Sequence, residues 1–185
     1  LICETCDYIP MENANFQQRS QELTKILKSE MNADGYWDGQ LSSSALGVAV
    51  SLAAFHFYDS GRLSLEIENG IAWLVANPNP DGGFGDTPES KSNISTSLLC
   101  LAALHVNRNA KTFSLEVYEN LVSYLKQHNI DITSAQMAKG VLDFYKTDYT
   151  FSVPILAMCA LCGIPEKNAF KSVPQLPFEL ALLPR

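Results

Sequence analysis

Leu52-Ala53-Ala54-Phe55-His56 recurs forty-nine residues later as Leu101-Ala102-Ala103-Leu104-His105. The two copies belong to apolar runs, residues 45–55 and 98–104, in which nearly every side chain is hydrophobic. A helix that is apolar on all sides is typical of an element buried on all sides. The two runs therefore predict two helices of the same kind in the core of the protein.

A glycine turn precedes each apolar run. Asn32-Ala33-Asp34-Gly35-Tyr36-Trp37 aligns with Asn79-Pro80-Asp81-Gly82-Gly83-Phe84 at an offset of forty-seven residues. Asp-Gly pairs suit a tight reversal, because glycine readily adopts the left-handed backbone conformation. Trp37 and Phe84 end the two copies, and we expect these aromatic side chains to pack between neighbouring repeats. Contact with a ligand is the alternative for both.

One-sided helices separate these features. Apolar residues recur three and four positions apart among charged and amide residues, as in an amphipathic helix; they are Leu23, Ile26 and Leu27, then Ile67, Ile71, Leu74 and Val75, then Leu121, Val122 and Leu125. Residues 151–161 form a third, weaker apolar run, with Asp148-Tyr149 in place of the glycine turn. Amphipathic helices that alternate with apolar ones predict an outer ring around an inner ring.

The predicted fold is therefore all-α, an α/α toroid (a partial α/α barrel) of about seven to nine helices. Inner helices are expected near residues 43–57, 93–106 and 151–163. We expect one repeat domain over residues 1–185, with an irregular segment over 1–12 and a Pro-rich segment over 172–185 that leads into a downstream domain. Ser42, Ser92 and Thr133 are the expected N-caps, the last with Gln136 at capping-box spacing.

Charge and composition exclude some classes of protein. The formal net charge is −7, and no basic run exceeds two residues, so we expect no nucleic-acid partner. No apolar stretch approaches the ~20 residues that cross a bilayer. The cysteine count is odd, which favours a reducing compartment, and the predicted location is cytoplasmic.

The cysteines form two C-x-x-C pairs, Cys3 with Cys6 and Cys159 with Cys162. Two such pairs can hold zinc, but they normally lie much closer together in the sequence. Cys159 and Cys162 also lie in an apolar run, where a reduced cysteine behaves as a small hydrophobic residue. The spacing therefore favours buried thiols over a metal site, and no metal or cofactor is expected.

Residues 71–86, Ile71-Ala72-Trp73-Leu74-Val75-Ala76-Asn77-Pro78-Asn79-Pro80-Asp81-Gly82-Gly83-Phe84-Gly85-Asp86, resemble the QW-type repeat of squalene-hopene cyclases and the prenyltransferase β-subunit superfamily. Asp34-Gly35-Tyr36-Trp37 resembles a second copy. Residues 92–96 and 173–184 also look like bacterial squalene-cyclase-like proteins. The likeness covers most of residues 20–184, although Met31 and Pro78 replace the glutamine of the repeat.

The resemblance implies the acid-free part of a triterpene-cyclase-like enzyme, an isomerase of terpenoid chemistry. Such a cyclase protonates its substrate with an Asp-x-Asp-Asp acid, which this sequence lacks, so we expect no turnover from the chain alone and no catalytic residue. The chain would shape an apolar isoprenoid pocket with a downstream domain or a second copy of itself. Ser44, Asn93 and Phe151 are the expected lining residues.

Two further hypotheses about the function remain. The first is a non-catalytic toroid module that binds an isoprenoid or a protein, since repeat folds readily take such roles. In the second, the resemblance implies peripheral membrane contact by the full-length protein.

The sequence has three histidines near predicted helix ends, His56, His105 and His128. In such positions histidines complement the helix dipole more often than they bind metal.

Overall fold

The computed structural model describes residues 13–38, 42–133, 136–146, 148–165 and 169–174, and these residues form seven α-helices and no strand. The prediction of an all-α fold is confirmed for them. The predicted irregular segment 1–12 and residues 175–185 of the Pro-rich segment lie outside the described residues. The helices are α1 (Asn13–Ser29), α2 (Ala45–Asp59), α3 (Ser64–Ala76), α4 (Ile94–Val106), α5 (Leu115–Gln127), α6 (Gln136–Tyr145) and α7 (Tyr149–Leu161), and a short 3-10 helix follows at Ala169–Ser172.

The chain divides into two compact units, Leu1–Leu41 and Ser42–Arg185. In the first unit, the described residues are α1 and the first glycine turn. The predicted apolar stripe of α1 is present, but Leu23, Ile26 and Leu27 are all more than half exposed, at 65%, 57% and 56%. The stripe is thus an exposed apolar face in the described residues of this unit.

The second unit is a stack of helix pairs. α4 contacts α2 along one side and α7 along another. Each of these three helices also contacts a more amphipathic partner: α3 packs on α2, α5 on α4 and α6 on α7. The three apolar helices thus follow one another in space in the order of the sequence, as neighbouring units of a repeat protein do.

Burial differs sharply among the three apolar helices. In α4, ten of thirteen residues are buried, against four of fifteen in α2 and five of thirteen in α7. The prediction that these helices are the most buried is confirmed for α4 and only partly met by the other two. α4 has a neighbour on three sides, whereas α2 and α7 lie at the ends of the row, where Leu46, Val50 and Phe151 remain exposed.

The two glycine turns have the same hydrogen-bond pattern. Asn32 N–H donates to the Tyr36 carbonyl at 2.9 Å, and at the matching position Asn79 N–H donates to the Gly83 carbonyl at 2.9 Å. The glycines also match, because Gly35 and Gly82 have φ of +87° and +82° and donate back to the carbonyls of Asn32 and Asn79. The sequence repeat is therefore a repeat of backbone conformation.

The helix caps differ from the predicted ones by one or two residues. Ser44 rather than Ser42 caps α2, and Asn93 rather than Ser92 caps α4. Ser92 is engaged in the turn, since its hydroxyl donates to Asp81 and accepts from Asn79. Thr133 was also expected to cap a helix, but its hydroxyl donates to the Asp131 carboxylate at 2.7 Å.

The third repeat departs from the first two. After α5 the chain forms α6 before it reaches the apolar helix α7. Asp148, at the position where a glycine turn is missing, accepts a hydrogen bond from Thr150 N–H and so caps α7. In the third pair the amphipathic helix α6 therefore precedes the apolar helix α7. In the first two pairs the apolar helix comes first.

Candidate functional site

Asn93, one of the three predicted lining residues, lies in a hydrogen-bonded group at the start of α4. Its side-chain oxygen accepts from Thr96 N–H at 2.8 Å, and its amide donates to Asp86 at 2.9 Å. The same Asp86 oxygen accepts from the Thr96 hydroxyl at 2.5 Å. These contacts fix the first turn of α4 to the end of the glycine loop.

Phe151, the second predicted residue, lies next to this group. Its ring is 60% exposed and stacks on the Tyr145 ring, with the centroids 6.3 Å apart. The Tyr145 hydroxyl is hydrogen-bonded to Ser95, two residues after Asn93. Burial, with the carboxylates of Asp148 and Asp86, raises the pKa of Tyr145. The structure thus brings the surroundings of Asn93 and Phe151 together through Tyr145.

Ser44, the third predicted residue, caps α2 and accepts from Gly47 N–H at 3.1 Å. Its position in the repeat matches that of Asn93, since the two residues and the amides they accept from are both forty-nine positions apart. Each of these two lining candidates therefore has a structural role at a helix start.

The predicted turn residues have unequal surroundings. Phe84 is buried, and its backbone N–H donates to the Ser97 hydroxyl at 2.9 Å. Trp37 is half exposed, and its indole N–H donates to the Leu27 carbonyl at 2.6 Å. Asp81 accepts from Gly83 N–H and from the Ser92 hydroxyl, whereas Asp34 contributes its backbone N–H to Asn32.

The cysteines of the second unit are buried free thiols. Burial raises the pKa of the Cys159 thiol to about 12 and that of Cys162 to about 11. Burial also raises the pKa of Cys100. Since the thiolate is both the nucleophile and the metal ligand, these groups are poor candidates for either chemistry. Cys3 and Cys6 lie outside the described residues.

Neither a metal cluster nor a membrane span is found in the part of the chain that the structure describes. There, no three His, Cys, Asp or Glu side chains are grouped so as to hold a metal ion. None of the helices there combines the length and the apolar character that crossing a membrane requires.

A cavity of about 750 Å³ lies at the other end of the apolar helices, beside the last turn of α4. Its walls come from α5, the segment after α5, and the residues that follow α7. The lining is mainly apolar with a few polar side chains; it includes His105, Tyr118, Glu119, Val122, Ile132 and Ile164. This volume is in the range of small-molecule sites, which combine apolar walls with a small number of polar groups.

Two of the polar residues in this lining, His105 and Tyr118, lie within hydrogen-bond distance of each other. His105 Nδ1 lies 2.9 Å from the Tyr118 hydroxyl, and Arg108 Nη1 lies 3.1 Å from His105 Nε2. A guanidinium can only donate, so Nε2 accepts the Arg108 hydrogen bond.

The other two histidines have different partners. His56, the repeat counterpart of His105, has Nδ1 2.9 Å from the side-chain oxygen of Asn107. His128 has Nδ1 2.8 Å from the Tyr124 carbonyl. All three histidines lie in the last turn or at the C-cap of a helix, as the sequence predicted. Only His105 of the three is a lining residue of the 750 Å³ cavity.

No pattern in the sequence indicates this cavity as a site. Its walls are drawn from four separate segments, and none of them carries a known ligand-binding motif. His105 was visible as a repeated histidine at the end of an apolar run, which was the one available signal. Comparison with protein-family models, curated proteins and solved structures gave no match to this chain.

Proposed function

We propose that this chain is the acid-free region of a squalene-cyclase-like α/α toroid, which binds an apolar isoprenoid-type molecule without transforming it. The row α2, α4 and α7, each with an amphipathic partner, supports the inner and outer rings of such a toroid. In the full-length protein, a downstream domain would supply the acid for catalysis.

The observation that carries the binding role is the cavity of about 750 Å³ beside α5. Apolar side chains such as Val122, Ile132 and Ile164 favour a hydrophobic ligand, because binding removes their surface and that of the ligand from water. The exposed Phe151 and its stacked neighbour Tyr145 form a second apolar surface, at the opposite ends of the same helices. That surface is our candidate for contact with the downstream domain.

The test is a substitution that places a larger side chain in the cavity. Val122→Phe is expected to abolish binding of farnesol to the full chain, measured by isothermal titration calorimetry, because the larger ring occupies the ligand volume. Val75→Phe is the control, since Val75 is also a partly buried valine of an amphipathic helix but is not a lining residue of this cavity. Retained affinity in Val122→Phe, or equal loss in both variants, would show that farnesol does not bind in this cavity.

A further inference from the structure

The first apolar helix of the row, α2, is hydrophobic on a side that remains exposed. Residues 45–58 of this helix include no Asp, Glu, Lys or Arg. The buried residues lie on one side only, and they are Ala45, Ala49, Leu52 and Ala53. The opposite side, called here the open face, includes Leu46, Val50, Ser51, Ala54, Phe57 and Tyr58, and all six are exposed.

The helix α4 uses the equivalent face to contact α2. Cys100 Sγ lies 3.7 Å from the Ala45 carbonyl oxygen. At the other end of the helix, Oδ1 of the C-cap residue Asn107 lies 2.9 Å from His56 Nδ1. Ala103, between these two contacts, is fully buried. This face of α4 therefore receives the apolar helix that precedes it in the row.

The same positions of α2 are exposed. Forty-nine residues before Cys100, Ala103 and Asn107 the sequence has Ser51, Ala54 and Tyr58 of the open face. The outer face of a terminal unit in a linear repeat array is normally polar, because it ends the stack in water. The open face is apolar instead, so it has the character of a face that receives another apolar helix.

We propose that the open face of α2 pairs with the same face of a second copy of this chain, about a twofold axis. A second copy offers an apolar helix with an identical exposed face, and a twofold arrangement buries both faces at once. The net charge of −7 makes two copies repel each other. Pairing through a face without charged side chains brings no like charges into contact. Ser51 and Ala54 are small, so the two helices can approach closely at the middle of the face.

This inference goes beyond the isoprenoid proposal and does not rest on it. None of the described residues that line the 750 Å³ cavity belongs to α2. A contact between two helices is small beside a standard protein interface, so we expect a weak dimer that dissociates on dilution.

Sedimentation equilibrium of the full chain over a dilution series is the first measurement. The expected result is a mass that rises with concentration from that of the monomer towards twice that value. A mass that stays at the monomer value at every concentration would overturn the proposal. A mass that grows well past the dimer would overturn it as well, because it would indicate head-to-tail assembly.

Ala54→Arg is the second arm, because it places two guanidinium groups near each other across the axis. We expect it to weaken the dimer by at least about a hundredfold. Ala72→Arg makes the same change at an exposed position of α3 and should leave association unchanged. Equal association of the two variants would contradict the assignment of this face. If Ala54→Arg fails to fold, as judged by circular dichroism, the dilution series on the unmodified chain still decides the question.

A mixing experiment tests the twofold arrangement. Ala54→Glu alone should also be monomeric, since it places two carboxylates near each other. An equimolar mixture of Ala54→Arg and Ala54→Glu should recover a dimer, because opposite charges then meet across the axis. A mixture that remains monomeric would show that this face does not pair with itself.

Discussion

Ser44 and Asn93 perform the same task at equivalent positions of two repeats. Each has an extended backbone, and each accepts a hydrogen bond from the amide three residues on, at 3.1 Å for Ser44 and 2.8 Å for Asn93. The two repeats are therefore equivalent in their N-caps as well as in the apolar helices that follow. The start of each helix is thus set by a side chain rather than by the glycine turn that precedes it.

The caps should therefore contribute to stability. Ser44→Ala and Asn93→Ala are each expected to lower the free energy of unfolding by about 0.5–2 kcal/mol, the usual cost of a lost N-cap. Asn93→Ala should cost more, because Asn93 also donates to Asp86. Urea denaturation measures both. A smaller loss for Asn93→Ala than for Ser44→Ala would contradict this account of the two starts.

Leu101 should contribute far more to stability than Leu115. Leu101 is fully buried in α4, and Leu101→Ala is expected to cost about 2–5 kcal/mol, since it loses buried apolar surface and leaves a cavity. Leu115 is 61% exposed at the start of α5, so Leu115→Ala should cost less. Urea midpoints of the two variants compare the losses directly. Equal losses would tell against the central position of α4.

Gly85→Ala should destabilise the loop before α4. A Cβ atom at this position would lie 2.3 Å from the Ser90 carbonyl oxygen, so the backbone must shift, at a cost of about 1–3 kcal/mol. Gly47→Ala is the control, because its new methyl group meets only the Ser44 side chain, at an ordinary van der Waals distance of 3.6 Å. There alanine should stabilise the helix by up to about 1 kcal/mol. Thermal unfolding should thus shift in opposite directions for the two variants.

Glu68 gives stability a defined pH dependence. Its carboxylate accepts hydrogen bonds from the Lys111 and Thr112 backbone amides and from the Thr112 hydroxyl, and these bonds lower its pKa below the ordinary 4.5. A lowered folded-state pKa means that this contribution is present above pH 4.5 and is lost as the pH falls through the folded value.

Glu68→Gln should remove that part of the acid dependence. We expect the variant to be less stable than the unmodified chain at neutral pH, with the difference shrinking below pH 4.5. Glu66→Gln, the same change two residues earlier, is the control. Denaturation curves from pH 7 downwards measure the difference in the free energy of unfolding. A difference that stays constant or grows in acid would contradict this account.

The chain alone should yield no cyclic product from squalene. Alkene protonation needs a buried, protonated acid, and the sequence has no Asp-x-Asp-Asp motif to supply one. Asp86, which is exposed, accepts two hydrogen bonds at the start of α4. Mass spectrometry of the incubated mixture is the measurement. Turnover that disappears in Asp86→Asn would reveal an acid that the motif search overlooked.

The sequence predicted those features that depend on residues close together in the chain. The turn at Asn79 and Gly82 followed from its residue types, and the all-round apolar character of α4 indicated its burial. The start of each helix could not be fixed to the residue, because several serines compete at each site. Ser92, for example, is taken up by Asp81. Which hydroxyl caps a helix depends on contacts that the order of residues does not reveal.

The cavity could not be predicted from the sequence for a different reason. Tyr118 and Ile164 meet at its walls only because α5 packs on α4 and the chain returns past the same end of α4 after α7. Neither residue stands in a pattern associated with ligands. Amphipathic spacing identifies an apolar face, as in α1, but does not reveal how far that face is buried.

The central position of α4 has a consequence for the order in which the second unit opens. Loss of α2 and α3 leaves α4 covered by α5 and α7, and loss of α6 and α7 leaves it covered by α2 and α5. Partial unfolding should therefore proceed inward from both ends of the row, as in other linear repeat arrays. The amides of α4 should be the last to exchange with deuterated solvent, at a rate set by global unfolding.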